Sequence, residues 1–208
     1  MSIRKVVKMK KEEIAPGLIV YSDVIPNSLN LKNDIEEGVA SSGLSWLPAY
    51  VAEATNDAKV NSKTRDTDSI GIPYNGGVKE LSGNVLSEIF KTSLGNIFFE
   101  HFHPVEQDYM SSYGIGWGWH DEYSVLRYGK GQHFTNHIDD HPNYPRRTST
   151  VYYLNDDYEG GEINFPRFNI TLKPKANQKI IFPSNYVFNH SVSPVVSGTR
   201  YAVVSWLF

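Results

Sequence analysis

Cysteine is absent from all 208 residues, which excludes disulfides, thiolate metal sites and thiol nucleophiles together. No apolar run approaches the roughly 18 residues that a membrane-crossing helix needs. The cations near the N-terminus (Arg4, Lys5, Lys8, Lys10, Lys11) are followed by no apolar segment, so no signal peptide is read there. An excess of one charge is lacking too. The 20 basic side chains stand against 23 acidic ones, a net −3, which disfavours a protein that tracks nucleic-acid phosphates. Internal repeats, low-complexity tracts and composition breaks are also missing. The expectation is a soluble, cytoplasmic protein with one domain over residues 1–208, without membrane or nucleic-acid partners.

What the chain does have is aromatic residues at 13%, among them 13 Tyr and 4 Trp. These residues bury an apolar body while keeping one polar group for a ligand. Residues 17–21 read as a short strand. Pro26-Asn27-Ser28 offers an N-cap for a helix over about 29–41. Leu81, Val85, Ile89, Phe90 and Ile97 keep near-helical spacing and predict a second helix over about 80–100. Residues 55–66 are polar and read as a surface loop. From Tyr123 the pattern becomes short β-branched and aromatic runs separated by Gly, Pro, Asn and Asp. They cover 123–128, 132–138, 149–154, 162–165, 169–172, 179–182, 190–196 and 200–208. This spacing predicts an antiparallel sandwich or barrel of jelly-roll type. The fold class is α+β and β-dominated, with the N-terminal helices outside one sheet.

One short pattern within these strands carries chemistry. His137-Ile138-Asp139 puts an imidazole and a carboxylate on one strand face, because alternate residues point the same way. His190 opens a later strand and supplies a third ligand. Two His and one carboxylate on one face of an octahedron suit non-haem Fe(II) and leave positions open. His141 shares the face of His137 and Asp139 and competes with His190, although Pro142 and Pro145 suggest that the chain has already turned. His133 and His137 have the spacing of a zinc helix but lack its glutamate, since Phe134 follows His133. Asp140 points to the opposite face, and His101, His103 and His120 read as surface or helix-end residues. Arg200 lies in the last strand, sharing a face with Ala202, Val204, Trp206 and Phe208. An inward guanidinium is costly unless paired, and it is suited to gripping a carboxylate. A ligand that chelates iron at one end and presents a carboxylate at the other satisfies both needs, and 2-oxoglutarate has that shape.

The ordered series of motifs resembles the prolyl 4-hydroxylase branch of the Fe(II)/2-oxoglutarate oxygenases. It runs through Leu126-Arg127-Tyr128-Gly129-Lys130-Gly131-Gln132, His137-Ile138-Asp139, Tyr152-Tyr153-Leu154-Asn155 and Gly160-Gly161-Glu162. It continues with Phe165-Pro166, His190, Pro194-Val195 and Gly198-Thr199-Arg200. The resemblance covers about residues 120–208, the expected catalytic core, and implies a double-stranded β-helix. It implies Fe(II) on His137, Asp139 and His190, with 2-oxoglutarate and O₂ as cosubstrates. Arg200 would hold the distal carboxylate, helped by the hydroxyls of Tyr153 and Tyr128. Collagen-type members usually carry Lys where this chain has Arg200, whereas the animal oxygen-sensing members carry Arg. Phe134 stands where many relatives have Tyr, and Asn164 replaces a common Thr.

The resemblance further implies a prolyl residue of a peptide or protein as substrate, hydroxylated at C4 while 2-oxoglutarate is decarboxylated to succinate. Trp206 is expected to pack against the proline ring. Arg146 and Arg65 are expected to contact the polypeptide, Arg65 within a weak match at Thr64-Arg65-Asp66 to the family's substrate-facing loop. Free proline, another amino acid or a small metabolite are the alternative substrates. A jelly-roll module that binds ligand without consuming it is the non-enzymatic alternative.

Overall fold

The computed structural model describes residues 10–26, 30–52, 58–74, 84–116, 118–143 and 145–208. In chain order its first half runs β1 (Lys10–Ala15), β2 (Leu18–Ser22), α1 (Leu31–Ser42), β3 (Leu47–Pro48), β4 (Val51–Ala52), β5 (Ala58–Lys59), β6 (Arg65–Asp66), β7 (Asp68–Ile72) and α2 (Val85–Ser112). The second half is strand after strand. It comprises β8 (Tyr123–Tyr128), β9 (His133–His137), β10 (Thr148–Tyr153), β11 (Glu159–Gly160), β12 (Ile163–Phe165), β13 (Ile170–Leu172), β14 (Gln178–Pro183), β15 (His190–Val192), β16 (Val195–Ser197) and β17 (Arg200–Leu207).

Two sheets carry the architecture. The larger has eight strands in the order β1-β2-β14-β10-β17-β8-β7-β3, and the smaller has five, β13-β12-β15-β9-β6. Period-two alternation divides every central strand between two cores. In β17, Ala202 and partly buried Val204 pack toward the smaller sheet with Val151, Tyr153, Ile180, Ile163 and Phe165. Tyr201, Val203 and Leu207 belong to neither of the clusters between the sheets, and the latter two pack on the helix side with Ile35, Phe98, Phe102 and Tyr109. β10, β14 and β17 are accordingly buried on both faces along most of their length.

The helix boundaries differ from the sequence reading. The N-cap of α1 is Asn30, which makes no side-chain cap bond, while Asn27 and Ser28 lie outside the described residues. α2 runs twelve residues beyond the expected end and passes straight through Pro104. Proline removes one intrahelical bond, but Phe98, Phe102, Val105 and Tyr109 are buried on the sheet at helical spacing. That burial holds the second half of the helix together across the proline. The expected strand over 190–196 is two strands. β15 pairs with β9 and β12, whereas β16 pairs with β11, the break falling at Ser193-Pro194, where proline cannot donate to a ladder. The expected loop over 55–66 contains β5 and β6, and β6 pairs Arg65 with Phe134 at the edge of the smaller sheet. Residues 53–57 lie outside the described part.

Candidate metal centre

Register builds the centre. His190, the first residue of β15, lies directly opposite His137, the last residue of β9, and Asp139 follows two residues later. Their ligand atoms all lie within 4.8 Å of one another. Asp139 Oδ1 is 3.5 Å from His137 Nε2, and Oδ2 is 3.7 Å from His190 Nε2. Each imidazole is oriented from behind by a backbone carbonyl. His137 Nδ1 is 2.8 Å from the Thr135 oxygen and His190 Nδ1 is 3.1 Å from the Phe188 oxygen. With the proton on Nδ1, Nε2 offers its lone pair to the shared centre.

Electrostatics favour the same protonation state. Burial, helped by nearby His137, pulls His190 down to about 4, so its ring is neutral at neutral pH. Burial also opposes ionisation of Asp139, but His190, His137 and the Ser149 hydroxyl outweigh it and hold the carboxyl well below its usual range. The neutral His190 ring, His137 Nε2 and the Asp139 carboxylate form a nitrogen–oxygen donor set suited to a divalent cation. His141 lies outside this group, and its Nδ1 accepts the Asn143 N–H at 3.2 Å. His133 sits in a strand, so the zinc-helix spacing has no helix to act on.

Sequence reasoning missed the support behind Asp139. Ser149 Oγ donates to Asp139 Oδ2 at 2.7 Å and lies 2.8 Å from Ser184 Oγ. Both serines are 1% exposed. Serine in a strand has no sequence signature that marks this duty.

Arg200 projects into the same inner cavity as the triad. It is 2% exposed, and its Nη2 donates to the Tyr153 hydroxyl at 3.2 Å. Tyr128 meets the guanidinium with its ring, whose centre lies 4.7 Å from the guanidinium carbon. Arg200 Nε and Nη1 are buried without a hydrogen-bond partner among the described residues. A buried guanidinium in that state demands an acceptor from outside the chain. Burial pushes Tyr153 up to about 12, even against the pull of Arg200, so its hydroxyl keeps a proton to give. Gly161, at φ +65°, permits the close approach: a Cβ there would stand 3.0 Å from Arg200 Cδ.

A larger groove of about 540 Å³ opens from His137 and Asp139 toward β3, β4 and β7. Trp206, Arg146 and Arg65 all line it. One face of Trp206 is covered by the Arg146 guanidinium at 3.7 Å, so only its other face and edge remain for a substrate ring. Arg65 lies on Phe134 at 4.9 Å, and Phe134 stacks on His137 at 3.5 Å.

His120 is not a surface residue. It is 5% exposed, with Nε2 3.3 Å from Glu106 Oε2 in the layer between α2 and the larger sheet. Lys179 Nζ meets Glu106 Oε1 there at 3.0 Å. His101 and His103 lie half-buried along α2 rather than at its ends.

Residues 123–208 match the family model described as the 2OG-Fe(II) oxygenase superfamily. Among curated relatives, a PKHD-type hydroxylase of Prochlorococcus marinus (strain NATL2A) is 39% identical over 84 residues, 37% of each chain. Human prolyl 3-hydroxylase 2 is 38% identical over 66 residues, 29% of this chain and 9% of that one. The match thus spans little over a third of the first relative's length. Among solved structures, a prolyl hydroxylase from Trichoplax adhaerens in complex with a hypoxia inducible factor peptide fragment has TM-score 0.66 at 18% identity. That likeness covers 92% of this chain and 83% of that one. A Pseudomonas putida prolyl-4-hydroxylase gives TM-score 0.66 at 18% identity and covers 92% of both chains. These structures share the fold of this chain.

Proposed function

We propose that this chain, a 2OG-Fe(II) oxygenase by its residues 123–208, hydroxylates prolyl residues of a peptide or protein. Hydroxylation falls at C4, and 2-oxoglutarate and O₂ are consumed as succinate and CO₂ form. The smaller sheet and its partner strands are the jelly-roll core of that reading, and α1 and α2 brace the larger sheet from outside. Residues 1–208 then act as one domain.

The observation that carries the proposal is Arg200, buried with two unpaired donors in the cavity that also holds the triad. A diacid chelating a metal at one end and meeting a guanidinium at the other fits both demands. His137 Nε2, His190 Nε2 and one oxygen of Asp139 would hold Fe(II), and Arg200 with Tyr153 would hold the distal carboxylate of 2-oxoglutarate. Bound there, the iron and its cosubstrate supply the oxidising power that an unactivated C–H bond requires. The protein does the rest. Phe188 and Thr135 carbonyls fix the imidazole tautomers, and Ser149 holds the Asp139 carboxylate through Oδ2 in the position where it would bind the metal. Apolar walls from Val192, Val204 and Ile163 keep bulk water out of the inner cavity. Trp206, Arg146 and Arg65 face the groove by which the substrate arrives. Tyr128 serves as a ring surface under Arg200.

The test is mass spectrometry of proline-containing peptides incubated with Fe(II), 2-oxoglutarate and air. The expected result is a gain of one oxygen on proline that requires 2-oxoglutarate, with fragmentation placing it at C4. Fe(II) and 2-oxoglutarate added without oxygen should also give the visible charge-transfer band of a chelated 2-oxo acid. Folded protein lacking that band would be a binding module instead. A band accompanied by oxygen transfer to free proline alone would place the substrate among small molecules.

A further inference from the structure

Arg65 and Arg146 both line the groove, each with part of its guanidinium already engaged. Arg65 Nη1 donates to the Tyr50 carbonyl at 2.9 Å. Arg146 Nη1 reaches the Asp139 carbonyl at 3.4 Å, and its Nη2 stays 3.6 Å from Asp121 Oδ2. Each guanidinium also lies over an aromatic ring, Phe134 for Arg65 and Trp206 for Arg146. On both, Nε is left over. Arg65 Nε and Arg146 Nε are each buried without a hydrogen-bond partner among the described residues. The ring contact and the engaged Nη group restrain each guanidinium, which keeps its Nε buried. The two charges also act on each other. Burial lowers the Arg146 pKa and nearby Arg65 adds to this, while Asp139 and Asp121 oppose it.

We propose that Arg65 and Arg146 form a clamp for a carboxylate carried by the substrate, next to the carbon that is hydroxylated. This rests on reading the groove as the substrate groove. A carboxylate placed between the two satisfies both Nε donors and relieves their repulsion, whereas a peptide carbonyl satisfies a donor and leaves the repulsion. The clamp is one ring from the metal site, through Phe134 stacked on His137, so the anion it holds lies close to the target. Asp121 and Asp139 do not fill this role, because they meet Arg146 through its other nitrogens or through backbone. The carboxylate has two sources: an acidic side chain flanking a target proline, or the α-carboxylate of a free amino acid.

The experiment measures binding by calorimetry to protein loaded with Mn(II), a redox-inert stand-in, and 2-oxoglutarate. The probes are matched pairs: acetyl-Asp-Pro-Gly-amide against acetyl-Asn-Pro-Gly-amide, and L-proline against L-prolinamide. In at least one pair the acid should bind roughly tenfold tighter than the amide, the worth of one charge-assisted hydrogen bond, and the pair that shows it names the source. Arg65→Gln and Arg146→Gln should each erase that preference, with 2-oxoglutarate affinity serving as the check that the fold is intact. Equal affinity for acid and amide in both pairs, or no binding of either acid, overturns the clamp. So do variants that weaken 2-oxoglutarate while leaving probe binding unchanged. Oxygen gain is read separately: a probe bound with the expected preference yet never oxygenated refutes the hydroxylase reading and leaves the clamp standing.

Discussion

A carboxylate with two oxygens can grip a metal with either or both, and in the proposed centre Ser149 restricts how Asp139 would do so. Its hydroxyl holds Asp139 Oδ2 at 2.7 Å and is itself anchored by Ser184. Such outer partners are typically worth about 10–100-fold in metal affinity. Ser149→Ala should therefore weaken Mn(II) binding by about 10–100-fold while far-ultraviolet circular dichroism stays that of the wild type, and Ser149→Thr should recover most of the loss. Unaltered Mn(II) affinity in Ser149→Ala would remove the serine from the site. The contrast with the triad shows what sequence can carry at this scale. A lone His-x-Asp pair is common by chance, so His137 and Asp139 are legible only together with His190 and Arg200 in later strands, and Arg200 is legible because an inward cation needs a partner. Ser149 and Ser184 look like any serines, and only tertiary placement gives them meaning. His120 was misjudged for a related reason, since its partner Glu106 belongs to a helix whose second half is hidden behind Pro104.

Elements divide the same way. Each strand that lies between the two cores is written in period-two alternation, and β8 matches its expected bounds residue for residue. The short edge pieces β3 to β6 and β11 carry too few residues for any period, so pairing partners alone define them. The layer between α2 and the larger sheet was the least legible element contact, yet it contains a fully buried ionic group. Lys179 Nζ lies 3.0 Å from Glu106, 2.9 Å from Thr150 Oγ1 and 3.9 Å from the Phe102 ring centre. Lys179→Met would strand the Glu106 charge beside His120 and should cost about 3–5 kcal/mol in urea denaturation. Adding Glu106→Leu should restore most of it, because an apolar pair needs no solvation. A single variant as stable as the wild type would contradict the ion pair. Acid should reveal the same group. Burial works against the Glu106 carboxylate, but Lys179 and His120 overcome it and hold the carboxyl at about 2. A depressed folded-state pKa contributes stability that is complete above the unfolded value of about 4.5 and drains away as pH falls toward about 2. Glu106→Gln should flatten that part of the stability-against-pH curve. An acid limb of unchanged slope would assign the loss to other carboxylates. Helix-to-helix packing adds a steric test. A Cβ on Gly38 of α1 would run into the Phe90 ring of α2, so Gly38→Ala should lower stability in urea denaturation by about 1–3 kcal/mol despite better helix propensity, and Phe90→Leu should relieve it.

At the scale of the molecule, no helix among the described residues is long and apolar enough to cross a membrane. The defining feature is that the two ends of the inner cavity belong to different sheets. His137 and His190 stand on paired strands of the smaller sheet, and Arg200 opens β17 in the middle of the larger one. A diacid that reaches from metal to guanidinium would tie the sheets together, so its binding should appear as global stability. Without it, Arg200 is a liability, a charge at 2% exposure with two unmade bonds. Arg200→Met keeps the length of the side chain and removes the charge. Replacements of this kind are often neutral or stabilising by about 1–4 kcal/mol, so the ligand-free variant should melt no lower than the wild type. The ligand response should move the other way. In the wild type, Mn(II) with 2-oxoglutarate at about 100 times its dissociation constant should add about 2.7 kcal/mol, while Mn(II) alone adds less. In Arg200→Met the increment from 2-oxoglutarate should vanish at the same concentration, and the Mn(II) increment should persist because the triad is untouched. Thermal melts of the two proteins with no ligand, with metal, and with metal plus 2-oxoglutarate decide the matter. A variant that melts well below the wild type when empty, or still gains from 2-oxoglutarate, would mean that the guanidinium is a structural strut and that the diacid is held elsewhere.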